Sequence, residues 1–293
     1  MKYTEKDKGV TKKYKLSDNP IQKYKTSRAK IEFVPTKAFG MMMFIDDELQ
    51  LAEKDEYIYH EMLVHPALLA STTPKRICII GGGDGCAARE VLRWKDIESL
   101  DVIDWDSELV DIFISKYSML NEYCYKDKRV EYKDADIRSL VDDEEEYDCV
   151  IVDLLDPNSD DTTNNQLWLD IINAAKSWLA PGGSIVINAG GILPWNKETP
   201  KWLVRTLVHN FHHLEHYDLM AYKAFVPSFG SEWCFLMIAP HDKININCES
   251  INLNRECLRY FDAASWSNAK TWSKDYKMSV PMSPVNLNTY LPN

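Results

Sequence analysis

The feature that most constrains the fold is the stretch 76–90, RICIIGGGDGCAARE. A short apolar run leads into a cluster of four glycines and one acid: Gly81, Gly82, Gly83, Asp84 and Gly85. A good helix former, AAREVLRW, follows at once, so the order predicts a buried strand, a tight turn and a helix. Glycines let the backbone approach a ligand closely, and a new helix presents unpaired N–H groups there. The turn is therefore a predicted ligand site, with an ordinary turn that binds nothing as the alternative.

A downstream acid indicates the kind of ligand. Asp104 lies in the next apolar stretch, LDVIDWD, about 20 residues past the glycines, where a carboxylate can accept hydrogen bonds from ribose hydroxyls. The dinucleotide pattern G-x-G-x-x-G is incomplete, because Cys86 holds the place of the third glycine. Asp84 would also repel a pyrophosphate. It suits a cationic nucleoside, such as S-adenosylmethionine or its decarboxylated form.

The pattern of elements predicts three regions. Residues 1–28 are polar and Lys-rich without periodicity, so we expect an N-terminal arm that is mobile or loosely docked. Residues 29–72 read as a small antiparallel β domain plus a linking helix, which Pro66 interrupts near its end. In residues 73–293, strands alternate with helices, which predicts an α/β domain with a Rossmann-like parallel sheet and a C-terminal helical tail.

Composition excludes some classes of partner. The net charge is −11, from 34 basic and 45 acidic residues, which argues against nucleic acid or an anionic membrane as the main partner. No apolar run reaches the ~20 residues that a membrane span needs, and the first residues lack a signal-peptide core. The seven cysteines are scattered without a CxxC pair, which favours free thiols and a cytoplasmic location.

Acidic residues recur where ligands bind in such sheets, at the carboxyl ends of the predicted strands. These acids are Asp84, Asp104, Asp136, Asp153 and Asp156. The last two lie three residues apart in the turn DLLDP. One carboxylate can take a proton from an amine while the other holds the rest of a cation in place. A helix cap and a turn-stabilising aspartate are the alternative.

Four motifs, in order, resemble the aminopropyltransferases, the spermidine synthase family. They are QLAEKDEYIYHEMLVHPALLA, GGGDG, DLLDP and VPSFGSEW, and the likeness runs from residue 30 to about residue 240. GGGDGCAAREVL and AYKAFVPSFGSEW are most similar to the thermospermine synthase branch. The resemblance implies a Rossmann-like sheet of the S-adenosylmethionine-methyltransferase type with a small N-terminal antiparallel β domain, assembled as a homodimer or homotetramer.

The resemblance also implies an activity. An aminopropyl group would pass from decarboxylated S-adenosylmethionine to a polyamine, with release of methylthioadenosine and no metal. Conversion of spermidine to thermospermine is favoured, and conversion of putrescine to spermidine comes next. Two alternatives stay open: an S-adenosylmethionine-dependent methyltransferase, in which Asp84 would face the carboxylate of the donor, and a non-catalytic homologue that binds polyamine or nucleoside.

Carried over by position, the resemblance assigns a role to each site residue. Asp153 would be the general base, and Asp84 would hold the aminopropyl ammonium. The donor site would comprise Gln50, His60, Gly81, Gly82, Gly83, Asp84, Asp104 and Asp136, with Asp134 as an alternative to Asp136 for the adenine. The polyamine site would comprise Tyr59, Asp84, Asp156, Phe229 and Trp233.

The sequence departs from the family at three places. Arg28 and Ala29 replace a Tyr-Gln pair, residues 158–161 replace the usual Gly-Pro, and Phe229 replaces a tyrosine. The last two changes fall near the predicted adenine lid or acceptor channel, so they leave the identity of the acceptor open.

Overall fold

The computed structural model describes residues 1–7, 9–140, 145–157, 161–193, 198–248, 257–276 and 280–290. Within these ranges the strands form a two-stranded sheet, a four-stranded sheet and an eight-stranded sheet. The described helices include no segment long and apolar enough to cross a membrane. All seven cysteines carry free thiols, as the sequence predicts.

The N-terminal region is built from antiparallel strands. β1 (Lys2–Asp7) pairs with β2 (Val10–Lys15) as a hairpin. The four-stranded sheet has the order β3 (Gln22–Lys25), β4 (Lys30–Thr36), β5 (Gly40–Ile45) and β6 (Glu48–Ala52). The small antiparallel β unit that the sequence predicts is therefore present, although it begins earlier in the chain.

The first 28 residues differ from the mobile or loosely docked arm that their composition predicts. They contain three strands, and the ring of Tyr3 lies 4.7 Å from that of Phe44, while the ring of Tyr14 lies 6.1 Å from it. Leu16 bridges to Thr36. The few apolar residues that hold this hairpin alternate with lysines. The composition of the segment is therefore polar and does not indicate that one face of the hairpin is buried.

Helix α1 (Glu56–Ala70) links the small sheets to the large domain and is buried along most of its length. Pro66 does not end it, contrary to the expected interruption. A proline cannot donate to the carbonyl four residues earlier, which here belongs to Met62. The hydroxyl of Tyr222 donates to that carbonyl at 3.0 Å, so a tertiary contact replaces the missing bond.

The large sheet is mixed, with strand order β14-β12-β13-β11-β10-β7-β8-β9. Its parallel part consists of β7 (Arg76–Gly81), β8 (Ser99–Asp104), β9 (Val130–Asp134), β10 (Tyr147–Asp153) and β11 (Leu179–Ile192). Its antiparallel part consists of β12 (Tyr217–Val226), β13 (Ser231–Pro240) and β14 (Val285–Asn286).

The antiparallel part corrects the expectation of a wholly parallel sheet. β12 is absent from the predicted strands because residues with weak strand preference interrupt its pattern, among them Ala221, Lys223 and Ala224. β12 and β13 form a hairpin, and β13 runs antiparallel to β11. The hairpin brings residues 227–230 back toward the end of β10, which the parallel topology alone would not do.

Helices cover both faces of the sheet. α1, α2 (Cys86–Leu92) and α6 (Ala263–Ala269) contribute to one buried cluster, and α4 (Thr162–Ser177) and α5 (Glu198–Phe211) contribute to the other. Along β7, Ile77 and Ile79 belong to the first cluster, while Cys78 and Ile80 belong to the second. This alternation, buried on both faces, explains the continuous apolar run of that strand. α3 (Ser107–Ile112) begins just after β8.

The C-terminal tail is attached to α1 through one carboxylate. Glu61 is 1 % exposed and accepts hydrogen bonds from the backbone N–H groups of Arg259, Tyr260 and Phe261 at 2.8, 2.8 and 2.7 Å. The helix predicted over residues 253–269 is confirmed only over α6; residues 258–262 are not helical, and residues 253–256 lie outside the described residues. Glu61 therefore holds the chain just before α6.

The substitution Glu61→Gln tests this attachment. One amide oxygen cannot replace two carboxylate oxygens, so we expect the free energy of unfolding to fall by about 2–3 kcal/mol. Urea denaturation measures the loss, and hydrogen exchange at residues 259–261 locates it. The control Glu98→Gln removes an exposed ion pair with Lys75 and is expected to cost less than about 0.5 kcal/mol. Equal losses in the two variants would contradict the assigned role.

Candidate active site

A cavity of about 440 Å³ lies at the carboxyl end of the parallel strands, and the N-terminal sheets also contribute to its lining. It contains most of the predicted site residues. On the predicted donor side these are Gln50, His60, Gly82, Gly83, Asp84 and Asp104. On the predicted acceptor side they are Tyr59, Asp153, Asp156, Phe229 and Trp233. Residues far apart in the chain thus meet at one place, as expected for the carboxyl edge of a parallel sheet.

The glycine turn is packed closely against two of the acids. Gly82 N donates to the carbonyl of Asp153 at 3.0 Å, and Gly83 N donates to Oδ2 of Asp104 at 3.0 Å. A Cβ on Gly83 would lie 2.7 Å from that same carboxylate oxygen. Gly81 has φ +85°, and a Cβ there would lie 2.2 Å from the Asp153 carbonyl. Gly81 is therefore required for the turn, although it does not line the cavity itself.

Asp153 ends β10 and faces the cavity beside Tyr59, whose hydroxyl donates to Asp153 Oδ1 at 2.6 Å. Burial raises the pKa of Asp153 to about 6. The nearby charge of His60 and the Tyr59 hydrogen bond oppose this rise, while Asp84 adds to it. The carboxylate is thus ionised at neutral pH but much more basic than an ordinary aspartate, which suits a group that accepts a proton.

Asp84 lies at the tip of the turn, where its Oδ1 accepts from Cys86 N at 2.7 Å and lies 4.0 Å from His60 Nε2. Burial disfavours the charged form of His60. However, the hydrogen bond to Glu56 and the charge of Asp84 outweigh it and raise the pKa of His60 to about 9. Glu56 is held in turn by Arg89 at 2.9 and 3.0 Å. A protonated His60 therefore separates the buried Glu56 from the acids of the cavity.

One group in this region has donor atoms close enough for a metal ion. Glu56, His60 and Cys86 each offer one such atom, and these atoms lie within 4.8 Å of one another. Glu56 is already paired with both Arg89 and His60, and burial raises the pKa of the Cys86 thiol well above its usual range. Competing cations and a protonated thiol favour an ion-pair network over a metal centre.

Asp104 ends β8 and accepts backbone N–H bonds from Gly83 and from Asp106, the second at 2.9 Å. Burial raises the pKa of Asp104 to about 6, although these two bonds oppose the rise. The neighbouring Trp105 is exposed and also lines the cavity. The Arg28 guanidinium lies 4.8 Å from the centre of its ring, so Arg28, noted above as a departure, belongs to the cavity wall.

Asp136 stands apart from the other predicted acids. It caps the 3₁₀ turn Ile137–Ser139, and its carboxylate pairs with Arg138. Asp134 ends β9 and is exposed. Neither residue lines the cavity, so the assignment of an adenine contact to Asp136 or to Asp134 stays a prediction. Residues 158–160, where the usual Gly-Pro is replaced, lie outside the described residues.

Aromatic rings form part of the cavity wall. The ring of Phe229 lies 6.3 Å from that of Tyr59 and 4.4 Å from that of Trp233. The backbone N–H of Ser228 donates to Oδ2 of Asp55 at 2.6 Å, which attaches the 227–230 turn to the residue just before α1. Phe229 is thereby held over the helix that carries Tyr59.

Two residues near this wall have no role predicted from the sequence. Asn188 lines the cavity and is 4 % exposed, while Asp55 is 5 % exposed and does not line the cavity. Asn188 lies within the apolar segment SIVINA, and Asp55 lies within the motif that begins QLAEKDEYIY. A polar residue inside a buried strand needs hydrogen-bond partners, and that is the only signal by which the sequence could reveal Asn188.

The cavity is therefore lined by both carboxylates and aromatic rings. Asp84, Asp153 and Asp156 are among the acids, and Tyr59, Phe229 and Trp233 are among the rings. Such a surface attracts cations, and the rings favour an extended aliphatic cation over a compact hydrated ion. Asp153 adds a carboxylate whose pKa of about 6 lies close to neutral pH.

Comparison with known proteins agrees with this description. The spermine/spermidine synthase domain family matches residues 56–250. Thermospermine synthase ACAULIS5 of Arabidopsis thaliana is 34 % identical over 261 residues, covering 85 % of this chain and 74 % of that protein. A polyamine aminopropyltransferase of Oceanobacillus iheyensis is 29 % identical over 284 residues, and the match spans about half (52 %) of that protein.

The fold is also that of solved structures. A crystal structure of spermidine synthase in complex with the transition-state analogue AdoDATO superposes with a TM-score of 0.82 at 22 % identity and covers 94 % of each chain. Spermidine synthase from Thermotoga maritima gives a TM-score of 0.79 at 21 % identity, again over 94 % of each chain. At this identity the two structures establish the fold alone.

The raised pKa of Asp153 predicts that Asp153→Asn stabilises the protein without ligand. Stability from a group whose pKa rises on folding is present below about pH 4 and is lost as the pH rises through about 6. At pH 8 the asparagine avoids this loss. We therefore expect the free energy of unfolding of Asp153→Asn to exceed that of the wild type by about 1–2 kcal/mol at pH 8, with a smaller difference toward pH 4. Thermal unfolding at both pH values measures it, with the exposed Asp96→Asn as control. A gain that is absent, or equal at both pH values, would contradict the raised pKa.

Proposed function

The chain belongs to the spermine/spermidine synthase family, and from that premise we propose that it is a polyamine aminopropyltransferase. It transfers the aminopropyl group of decarboxylated S-adenosylmethionine to an amine of a polyamine and releases methylthioadenosine. The observation that carries the proposal is the position of Asp153. A base with a pKa of about 6 lies beside Asp84 and Asp156 in one cavity, where a cationic donor and a cationic acceptor could meet.

The acids around the glycine turn support a cationic donor. Asp84 would hold the aminopropyl ammonium, while Asp104 and Gln50 would contact the ribose end. Decarboxylated S-adenosylmethionine carries positive charge at the sulfonium and at the amine and has no carboxylate. Asp84 in the turn and the neighbouring carboxylates of the cavity therefore attract it.

The reaction needs one proton acceptor and close approach of two atoms. A polyamine amine is almost wholly protonated at neutral pH, so it must lose a proton before it can attack. Asp153 takes that proton, directly or through water, and the free nitrogen attacks the methylene beside the sulfonium in line with the sulfur. The new N–C bond forms as the C–S bond breaks, and the electron pair stays on sulfur in neutral methylthioadenosine. Tyr59 and Asp156 hold the acceptor, so approach geometry supplies much of the rate.

The favoured acceptor is spermidine, with thermospermine as product, and putrescine comes next. The 34 % identity to the Arabidopsis thermospermine synthase supports this order.

Other parts of the expected function stay predictions. These are a homodimer or homotetramer, a cytoplasmic location and catalysis without a metal ion. The methyltransferase alternative requires Asp84 to face the carboxylate of intact S-adenosylmethionine, which is unfavourable. The non-catalytic homologue is an outcome of the first experiment below.

Purified protein is expected to release methylthioadenosine from decarboxylated S-adenosylmethionine when a suitable polyamine is present. Putrescine, spermidine, norspermidine and agmatine are supplied separately, and chromatography with fragment masses identifies the product. We expect the fastest release with spermidine and thermospermine as the product. Donor binding without release for any acceptor would contradict the transferase and favour the binding homologue.

The substitution Asp153→Asn is expected to lower kcat about 10²–10⁴-fold, because the amide cannot accept a proton, while methylthioadenosine still binds. In the wild-type enzyme, kcat/KM should rise with pH through about 6 as Asp153 ionises in the free enzyme. Steady-state kinetics from pH 5 to 8 and calorimetric binding measure both effects. Glu98→Gln is the remote control. If the variant keeps the fall in activity below about pH 6 that the wild-type enzyme shows, a residue other than Asp153 is the base.

A further inference from the structure

We propose that Asn188 is a positioning residue that sets the width of the acceptor side of the cavity. It would do so by fixing the indole of Trp233 relative to the turn 153–156, which bears the base. The inference rests on the proposed function only in calling this side the acceptor side. Neither the motifs nor the family resemblance assign a role to Asn188.

The side chain of Asn188 makes three hydrogen bonds that join three segments. Its Oδ1 accepts from Nε1 of Trp233 at 2.7 Å and from the backbone N of Gly190 at 2.9 Å. Its Nδ2 donates to the carbonyl of Leu154 at 2.9 Å. One amide group therefore connects β13, the end of β11 and the residue that follows Asp153.

Only a carboxamide meets all three demands from this position. Its oxygen accepts two bonds and its nitrogen donates a third, whereas a carboxylate has no hydrogen to donate to Leu154. At 4 % exposure, water cannot easily replace a lost partner, so removing the side chain leaves buried polar groups unsatisfied. The register of β11 against β13 shifts between Asn188 and Gly191. This irregularity lets the side chain of Asn188 contact both Trp233 on β13 and Leu154 after β10.

The hydrogen bonds of Asn188 affect the width of the cavity because glycines lie beside the groups that these bonds position. Gly190 adjoins the Asp156 carboxylate, and Gly191 adjoins the ring of Trp233. Since neither glycine has a side chain to hold these groups apart, the indole hydrogen bond to Asn188 determines where the ring stands. The far side of the ring contacts Phe229, at 4.4 Å between centroids. Without Asn188, the ring can turn toward or away from Asp156.

Three variants test the proposal from both ends of the bond: Asn188→Ala, Asn188→Asp and Trp233→Phe. Asn188→Asp keeps both accepted bonds but loses the bond to Leu154, and Trp233→Phe removes only the indole donor. We expect Asn188→Ala and Trp233→Phe each to raise the KM for spermidine about tenfold, with a smaller change in kcat. The ratio of spermidine to putrescine kcat/KM should also change, and the double variant should be no worse than Asn188→Ala.

Two further readouts separate positioning from loss of structure. Binding of methylthioadenosine by calorimetry should stay within about twofold of wild type in all three variants, because the donor side does not contact Asn188. The fluorescence of Trp233, taken as the difference between a parent and its Trp233→Phe derivative, should differ between wild-type and Asn188→Ala parents. If Asn188→Ala does not fold, the other two variants still test the bonds to Leu154 and Trp233.

The outcomes distinguish this inference from the proposed function. Unchanged KM and acceptor ratio in Asn188→Ala and Trp233→Phe would overturn it, as would an equal loss of methylthioadenosine binding. If the wild-type protein uses no polyamine, the proposed function fails. The Trp233 fluorescence then decides alone, and an identical spectrum in the Asn188→Ala background would overturn the positioning role.

Discussion

The close approach of the glycine turn to Asp104 and Asp153 is the constraint on which the rest of the site depends. Gly83 and Gly82 each donate a backbone hydrogen bond to one of these residues, and no side chain fits between them. The turn thereby fixes the spacing between the predicted ribose acid and the predicted base. Burial raises the pKa values of both carboxylates to about 6, although the Gly83 hydrogen bond opposes the rise at Asp104. The turn therefore fixes the geometry of the two acids, and their burial sets their basicity.

Helix α1 extends this constraint to the rest of the molecule. Tyr59 contacts Asp153, the proposed base, while Glu56 holds Arg89 and His60, and Glu61 holds the C-terminal tail. Buried charges are costly unless they are paired, so each of these groups has a defined partner. A helix that carries so many tertiary bonds can tolerate Pro66, because Tyr222 supplies the bond that the proline cannot make.

Much of the site could be predicted because its signals are local. Strand, glycines and acid occur within one stretch, so the turn, Asp84 and Asp153 follow from the chemistry of short motifs. The antiparallel hairpin of β12 and β13 could not be predicted, since pairing between distant strands sets it rather than local preference. The same holds for Asn188, whose three partners belong to three different segments. The strands of the first 28 residues could not be predicted either, because few apolar residues hold them and the apolar periodicity is therefore weak.

Asp136 illustrates a different limit. Its position after a strand resembles that of the other acids, but its partner is Arg138 and it does not line the cavity. Its assignment to the adenine therefore stays a prediction. Sequence spacing gives the place of such an acid along the chain, but it does not show that the Asp136 carboxylate pairs with Arg138.

The central claim is that carboxylates at the glycine turn select a donor that is positive and lacks its own carboxylate. Calorimetric titration of wild-type protein with decarboxylated and with intact S-adenosylmethionine tests it most directly. We expect the decarboxylated form to bind at least about tenfold more tightly, because intact S-adenosylmethionine brings a carboxylate toward Asp84. That difference should shrink in Asp84→Asn. Equal or tighter binding of intact S-adenosylmethionine by the wild-type protein would contradict the account and favour a methyltransferase.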